Sequence, residues 1–133
     1  MVGFVLVSHS QKLAEGAKEL GLMMAPDVPA EAAGGTADGG LGTDYQKIWD
    51  AVEAVGSSAA DGVIIIADMG SSRMTAEMVL EDRGEDASPP AFLADCAFVE
   101  GTVLSMVNAS CGMTAEQILA AAREEASVRK QIS

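Results

Sequence analysis

Positive charge is scarce in this chain. Lys and Arg together number 8 against 20 Asp and Glu in 133 residues, a formal net charge of -12. Such a surface repels phosphate backbones and anionic lipid heads, so neither nucleic acid nor a membrane is an expected partner. Histidine is scarcer still. His9 is the only one, and the two cysteines, Cys96 and Cys111, form neither a CxxC pair nor a ligand cluster. No metal site can be assembled from that set, and the cysteines read as small buried apolar residues in a reducing compartment. Aromatic residues make up only 4% of the chain, so the core has to come from aliphatic side chains and Met. No apolar run approaches the roughly 18 residues of a membrane span. The amino-terminal MVGFVLVSHS carries no basic leader, and a cytoplasmic location is expected.

What is present is a surplus of aliphatic residues, with 49% of the chain apolar. At this length one domain over residues 1–133 is expected, large enough to bury a core without disulfides or metal. VGFVLV (2–7) is an unbroken β-rich run, the mark of a strand covered on both faces. From Ser10 the spacing changes, and Leu13, Ala17, Leu20 and Met24 predict one apolar helical stripe ending before Pro26. A weaker strand is expected over 28–35, followed by the glycine-rich GGTADGGLG (34–42). Thr43-Asp44-Tyr45-Gln46 matches a capping box, and Ile48, Val52 and Val55 supply a second helical stripe.

DGVIIIADMGSS (61–72) holds the strongest strand. A third helix should start near Ser71 or Ser72 and run through Met74, Met78 and Val79 toward Arg83, its methionines packing in the core. A surface loop (84–90), a fourth strand (91–95), a fourth helix from Val99 to Ala109 and a final helix behind the capping box Thr114 to Gln117 complete the pattern. Strands alternating with helices imply a parallel sheet with right-handed crossovers. The simplest such fold is α/β and flavodoxin-like, an open parallel sheet in the order 2-1-3-4 with helices on both faces.

In such sheets, reactive groups gather beyond the carboxyl ends of the strands where the strand order reverses, here between the first and third strands. His9 ends the first, the glycine-rich loop follows the second, and Asp68-Met69-Gly70-Ser71-Ser72 ends the third. These segments converge on one crevice. A neutral imidazole has a free nitrogen lone pair and can act as a nucleophile without an activating base. Asp68 either accepts a hydrogen bond from Nδ1–H, leaving Nε2 free to attack, or merely caps the turn into the third helix. A phosphoryl group on His9 would lie beside the first turn of the first helix, where N–H groups and the helix dipole favour an anion. Hydroxyls of Ser8, Ser10, Thr43, Ser71 and Ser72 are candidate donors to it, and Gly42 and Gly70 complete the expected phosphate site.

Competing motifs fail on detail. GGLGTD is not a dinucleotide fingerprint, and there is no GxxxxGK[ST] loop and no GxSxG elbow. A phosphoacceptor aspartate at position 68 would need an acidic pair to hold magnesium at the end of the first strand, where Ser8 and His9 stand.

VLVSHSQKLAEG (5–16), AAGG (32–35), GLGTD (40–44), DMGSSRMTAEMVLE (68–81) and AFVEGTVLSMVNASCG (97–112) together resemble the phosphotransfer subunit of phosphoenolpyruvate-dependent dihydroxyacetone kinase. That subunit is grouped with the mannose-type IIA domains of the sugar phosphotransferase system. The resemblance implies a flavodoxin-like fold, usually a homodimer, with His9 phosphorylated at Nε2 and Asp68 orienting its ring. It implies a histidine phosphocarrier protein as donor. The acceptor would be ADP held in one kinase subunit, and the resulting ATP would phosphorylate dihydroxyacetone bound by another. The chain itself would then need no cofactor. Related chains commonly carry proline at the position of Ala97 and a small or apolar residue at that of Arg73. Some also carry fused carrier domains. This sequence stops at Ser133, so a separate donor is expected. Two other readings stay open: a mannose-type IIA component of a sugar permease, and a non-catalytic flavodoxin-like module in which His9 anchors a small anion.

Overall fold

A computed structural model of the chain describes residues 1–127. Its elements, in chain order, are β1 (Gly3–Ser8), α1 (Gln11–Met24), β2 (Ala30–Gly34), α2 (Tyr45–Gly56), β3 (Val63–Ala67), α3 (Ser71–Arg83), β4 (Ala91–Leu93), α4 (Phe98–Ser110) and α5 (Ala115–Ala126). The strands form one parallel sheet in the order β2-β1-β3-β4. This is the expected flavodoxin-like topology, and β1 with β3 forms its centre.

Every residue of β1 and β3 is buried. The alternation of a strand sends Phe4, Leu6, Ile64 and Ile66 to one face, where they meet Ala17, Met106 and Ile118. Val5, Val7, Ile65 and Ala67 face the other way, against Ile48, Val52, Ala76 and Val79. Two packed faces explain why these strands read as continuous apolar runs rather than as alternating ones. Burying a Val, Leu or Ile side chain contributes roughly 1.5–3 kcal/mol, so this double layer makes the central strand ends a rigid base for the turns that follow.

The helices keep their expected positions but not all their expected faces. In α1 the buried residues are Ala14, Ala17 and Gly21, whereas Leu13, Leu20 and Met24 are exposed. The predicted stripe is therefore corrected. Small residues face inward because the helix lies close to its neighbours: a Cβ at Gly21 would come within 2.3 Å of Met106 Sδ on α4. The same holds for α3, where Ser72, Ala76 and Val79 are buried and Met74 and Met78 are exposed. Those methionines each lie two residues from the buried Ala76, about 200° around the helix, so they are not core residues. Cys111 is likewise exposed, and Cys96 is only partly buried.

Caps and strand ends differ by a residue or two. The side chain of Asp44, not Thr43, caps α2 by accepting from Lys47 N at 3.0 Å, which leaves the Thr43 hydroxyl outside the helix. At α5 the expected box is present in full, with Thr114 and Gln117 exchanging hydrogen bonds of 2.9 and 3.2 Å. β4 stops at Leu93, although Ala94 N still donates to Ile65 O at 2.9 Å. Tyr45 on α2 donates its hydroxyl to Asp82 on α3 at 2.6 Å, tying the two helices whose first turns flank the central strand ends.

Candidate functional site

β1 ends at Ser8, and the chain must turn at once to enter α1. His9 is the turn residue. Ser10 then caps α1, its hydroxyl accepting from Leu13 N at 3.2 Å. β2 ends close by: a Cβ on Gly34 would lie 2.5 Å from Ser10 O and 2.7 Å from Gln11 Cα. Only a residue without a side chain lets the strand end approach that turn so closely. The glycine-rich loop then folds back, and Gly42 N donates to His9 O at 2.8 Å. The histidine backbone is thus held on both sides.

Asp68 follows β3, next to the end of β1, where its own N–H donates to Val7 O at 3.0 Å. One carboxylate oxygen accepts from Ser8 Oγ at 2.9 Å and from His9 N at 3.1 Å. The other accepts from Met69 N at 2.7 Å and lies 3.0 Å from His9 Nδ1. Burial raises the proton affinity of this carboxyl. Hydrogen bonds from the Ser72 hydroxyl, His9 N–H, the Ser8 hydroxyl and Met69 N–H outweigh it, so Asp68 is held below its ordinary value. It is an ionised acceptor at neutral pH.

A carboxylate can only accept, so the ring nitrogen facing it must carry the proton. Nδ1–H donates to Asp68, and in the neutral ring Nε2 keeps its lone pair. Ser71 Oγ is 2.8 Å from Nε2 and donates to it. Thr43 Oγ1 in turn donates to Ser71 Oγ at 3.4 Å and lies 3.4 Å from Thr75 Oγ1. The imidazole is 29% exposed while its carboxylate partner is 11% exposed. The ring is therefore gripped on its Nδ1 side and open to solvent on its Nε2 side.

The chain enters α3 through Gly70, with φ of 47° and ψ of -116°, and no side chain caps that helix. Such a conformation favours glycine. In that first turn Ser72 N and Arg73 N donate to Met69 O and Gly70 O at 3.0 and 3.1 Å, which leaves Ser71 N and the helix dipole to favour an anion, and Nε2 is hydrogen-bonded to the side chain of Ser71, the first residue of this helix. The helix terminus at Nε2 is thus that of α3.

The structure brings the candidate residues together but gives them different places. Thr43 and Ser71 lie on the Nε2 side. Ser8 is 1% exposed and Ser72 is fully buried; both sit on the Asp68 side, with Ser72 Oγ 3.1 Å from Nδ1. Ser10 is occupied as a helix cap, and the N–H of Gly42 is spent on His9. Thr75 was not among the sequence candidates. Its signal was there, since it lies one helical turn after Ser71 and shares its face. Arg73 extends to Ala94 O at 3.1 Å, and Lys12 is exposed on the first turn of α1. Among the described residues no group of three or more His, Cys, Asp or Glu could hold a metal ion, and no helix is long and apolar enough to cross a membrane.

Comparison with known proteins bears on this geometry. Residues 3–119 match the family described as PTS system fructose IIA component. The chain is 34% identical over 123 residues to the phosphoryl donor subunit of PEP-dependent dihydroxyacetone kinase from Escherichia coli strain K12, covering 90% of this chain and 26% of that protein. It is 35% identical over 120 residues to the corresponding subunit of kinase 2 from Listeria innocua, covering 90% of this chain and 94% of the relative. It thus spans about a quarter of one relative and nearly all of the other. A crystal structure of a protein of unknown function superposes with a TM-score of 0.81 at 32% identity, covering 96% of each chain. A sigma-54 interaction domain protein from Enterococcus faecalis superposes with a TM-score of 0.72 at 17% identity, covering 92% of this chain and 88% of that one. That second likeness is one of fold alone.

Proposed function

Because this chain belongs to the family of PTS system fructose IIA components, we propose that it is a phosphohistidine relay: the phosphoryl donor subunit of a dihydroxyacetone kinase. The observation that carries this reading is the one-sided grip on His9, with Nδ1 on the carboxylate of Asp68 at 3.0 Å and Nε2 at the surface beside Ser71. The relatives named as phosphoryl donor subunits support the choice of kinase.

In the first half-reaction a histidine phosphocarrier protein presents its phosphohistidine to His9. The Nε2 lone pair forms the new N–P bond as the donor's N–P bond breaks, and the departing imidazole keeps that electron pair and takes up a proton. Charge on the His9 ring grows as the bond forms, and the Asp68 carboxylate across Nδ1–H stabilises it. Ser71, released from Nε2, turns its hydroxyl to a phosphoryl oxygen, with Thr43 and Thr75 behind it and the α3 terminus favouring the dianion. In the second half-reaction a β-phosphate oxygen of ADP, held in a partner kinase subunit, attacks phosphorus. The His9 N–P bond breaks, ATP is formed, and the ring regains its lone pair. A further subunit binds the dihydroxyacetone that this ATP phosphorylates.

On this reading the protein acts in the cytoplasm, residues 1–133 work as one phosphotransfer domain, and the chain needs no cofactor or metal of its own. Leu41 precedes Gly42, Met69 follows Asp68 and Met74 lies one turn after Ser71, and they are 81%, 64% and 67% exposed, which suits contact with protein partners rather than capture of a free small molecule. The exposed Leu20, Met23 and Met24 of α1 fit an expected homodimer. The test is to phosphorylate the chain with phosphoenolpyruvate and the general carrier proteins, then offer it two acceptors. Loss of label to an ADP-loaded kinase subunit, with ATP formed, supports the proposal. Loss only to a sugar-specific permease component assigns the chain to sugar uptake instead, and anion binding without covalent label makes it a binding module.

A further inference from the structure

The sequence placed Ser72 among the groups that would contact a phosphoryl anion, but its position argues for another use. It is fully buried, and its Oγ is 3.1 Å from Nδ1 of His9, the nitrogen that does not face solvent. A buried hydroxyl has one proton to give, and its direction can be deduced. Nδ1 already carries a proton, because it faces an ionised carboxylate, so Ser72 cannot donate there. Ser72 therefore meets Nδ1 as an acceptor at 3.1 Å, and a hydroxyl proton directed toward Asp68 agrees with the lowered proton affinity of that carboxyl. The Ser72 lone pair is left to accept a share of Nδ1–H, making a three-centre hydrogen bond among His9, Asp68 and Ser72.

We infer that Ser72 is a positioning residue that locks the His9 ring and the Asp68 carboxylate into one hydrogen-bonded unit, so that Nε2 is presented in a single orientation. The consequence for phosphoryl transfer rests on the reading of His9 as the acceptor; the locking itself does not. Ring rotation about the Cβ–Cγ bond would break both branches of the three-centre bond, whereas with Asp68 alone it breaks one. An in-line attack needs the Nε2 lone pair aimed at phosphorus, so loss of orientation lowers the rate without removing the nucleophile.

The single histidine makes the test direct, because the ring gives one set of imidazole NMR signals. In the intact chain with isotope-labelled histidine and aspartate, Ser72→Ala should speed exchange of the Nδ1 proton with water about fivefold, the scale of one hydrogen bond of roughly 1 kcal/mol. It should also move the titration of the Asp68 carboxyl upward. Ser72→Thr, which restores the hydroxyl, should recover both signals. Phosphorylation by the carrier should slow by about the same factor in Ser72→Ala. Unchanged proton exchange and an unchanged Asp68 titration in Ser72→Ala would overturn the inference and leave Ser72 as a small packing residue, even if stability fell. A wild-type chain that accepts no phosphoryl group would overturn the relay reading, while the two ring signals still decided the role of Ser72.

Discussion

The backbone N–H of Gly42 donates to the carbonyl of His9 at 2.8 Å. The loop after β2 therefore fixes the backbone of the residue that follows β1, and glycine is required to do so. Gly42 has a φ of 143°, and a Cβ there would lie 2.8 Å from Thr36 Cγ2. Gly42→Ala should cost about 1–3 kcal/mol of stability through backbone strain, read by urea denaturation. It should also slow phosphorylation of His9 more than the same loss of stability introduced in α5.

Asp68 links the site to pH. Its proton affinity is lower folded than unfolded, so it contributes stability above its ordinary value of 3.8 that is lost as pH falls through the folded value. Asp68→Asn removes this contribution. The variant should be less stable than wild type at pH 7, and the gap should shrink once pH drops below about 4. Unfolding midpoints from pH 7 to pH 3 read this directly. At pH 7 the same substitution should slow phosphorylation on the order of 100-fold or more, because the amide no longer enforces the Nδ1–H tautomer.

Hydroxyls on the Nε2 side should act after transfer. Ser71→Ala removes a donor to the phosphoryl oxygens, and Thr43→Val removes the group behind it. Each should shorten the lifetime of the phosphorylated chain about three- to tenfold, the range of one hydrogen bond of roughly 1 kcal/mol. Loss of acid-labile phosphate with time at neutral pH measures it, and Thr75→Val should give a smaller change.

Close approach at the base of the site gives a stability prediction. A Cβ at Gly34 would meet backbone atoms, Ser10 O at 2.5 Å and Gln11 Cα at 2.7 Å, which cannot move aside as a flexible side chain can. Gly34→Ala should destabilise by about 1–3 kcal/mol. Met74→Ser, on the exposed side of α3, should stay within about 0.5 kcal/mol of wild type.

The strands were readable because burial on both faces leaves no choice of side: Val5 and Leu6 point opposite ways and both meet apolar partners. Helix faces were harder. α1 offers Leu13, Leu20 and Met24 alongside Ala14, Ala17 and Gly21, and periodicity alone favours the larger side chains. Close contact with α4 favours the smaller ones, a tertiary constraint that no local pattern contains. The α2 cap fell one residue late for a related reason, since Thr43 and Asp44 are both good cap residues and only the fold frees Thr43 to face Ser71. At the site, the meeting of His9, Thr43, Asp68 and Ser71 followed from topology. Which hydroxyl faces which ring nitrogen did not, because that depends on the rotation of one side chain.

The most direct measurement is the phosphate content of the chain after incubation with phosphoenolpyruvate and the two general carrier proteins, with the position of the new bond read by NMR on the labelled imidazole. The account predicts one acid-labile phosphoryl group per chain, bonded to Nε2, and none on His9→Ala. Equal labelling of His9→Ala, or a phosphoryl group on Nδ1, would contradict it.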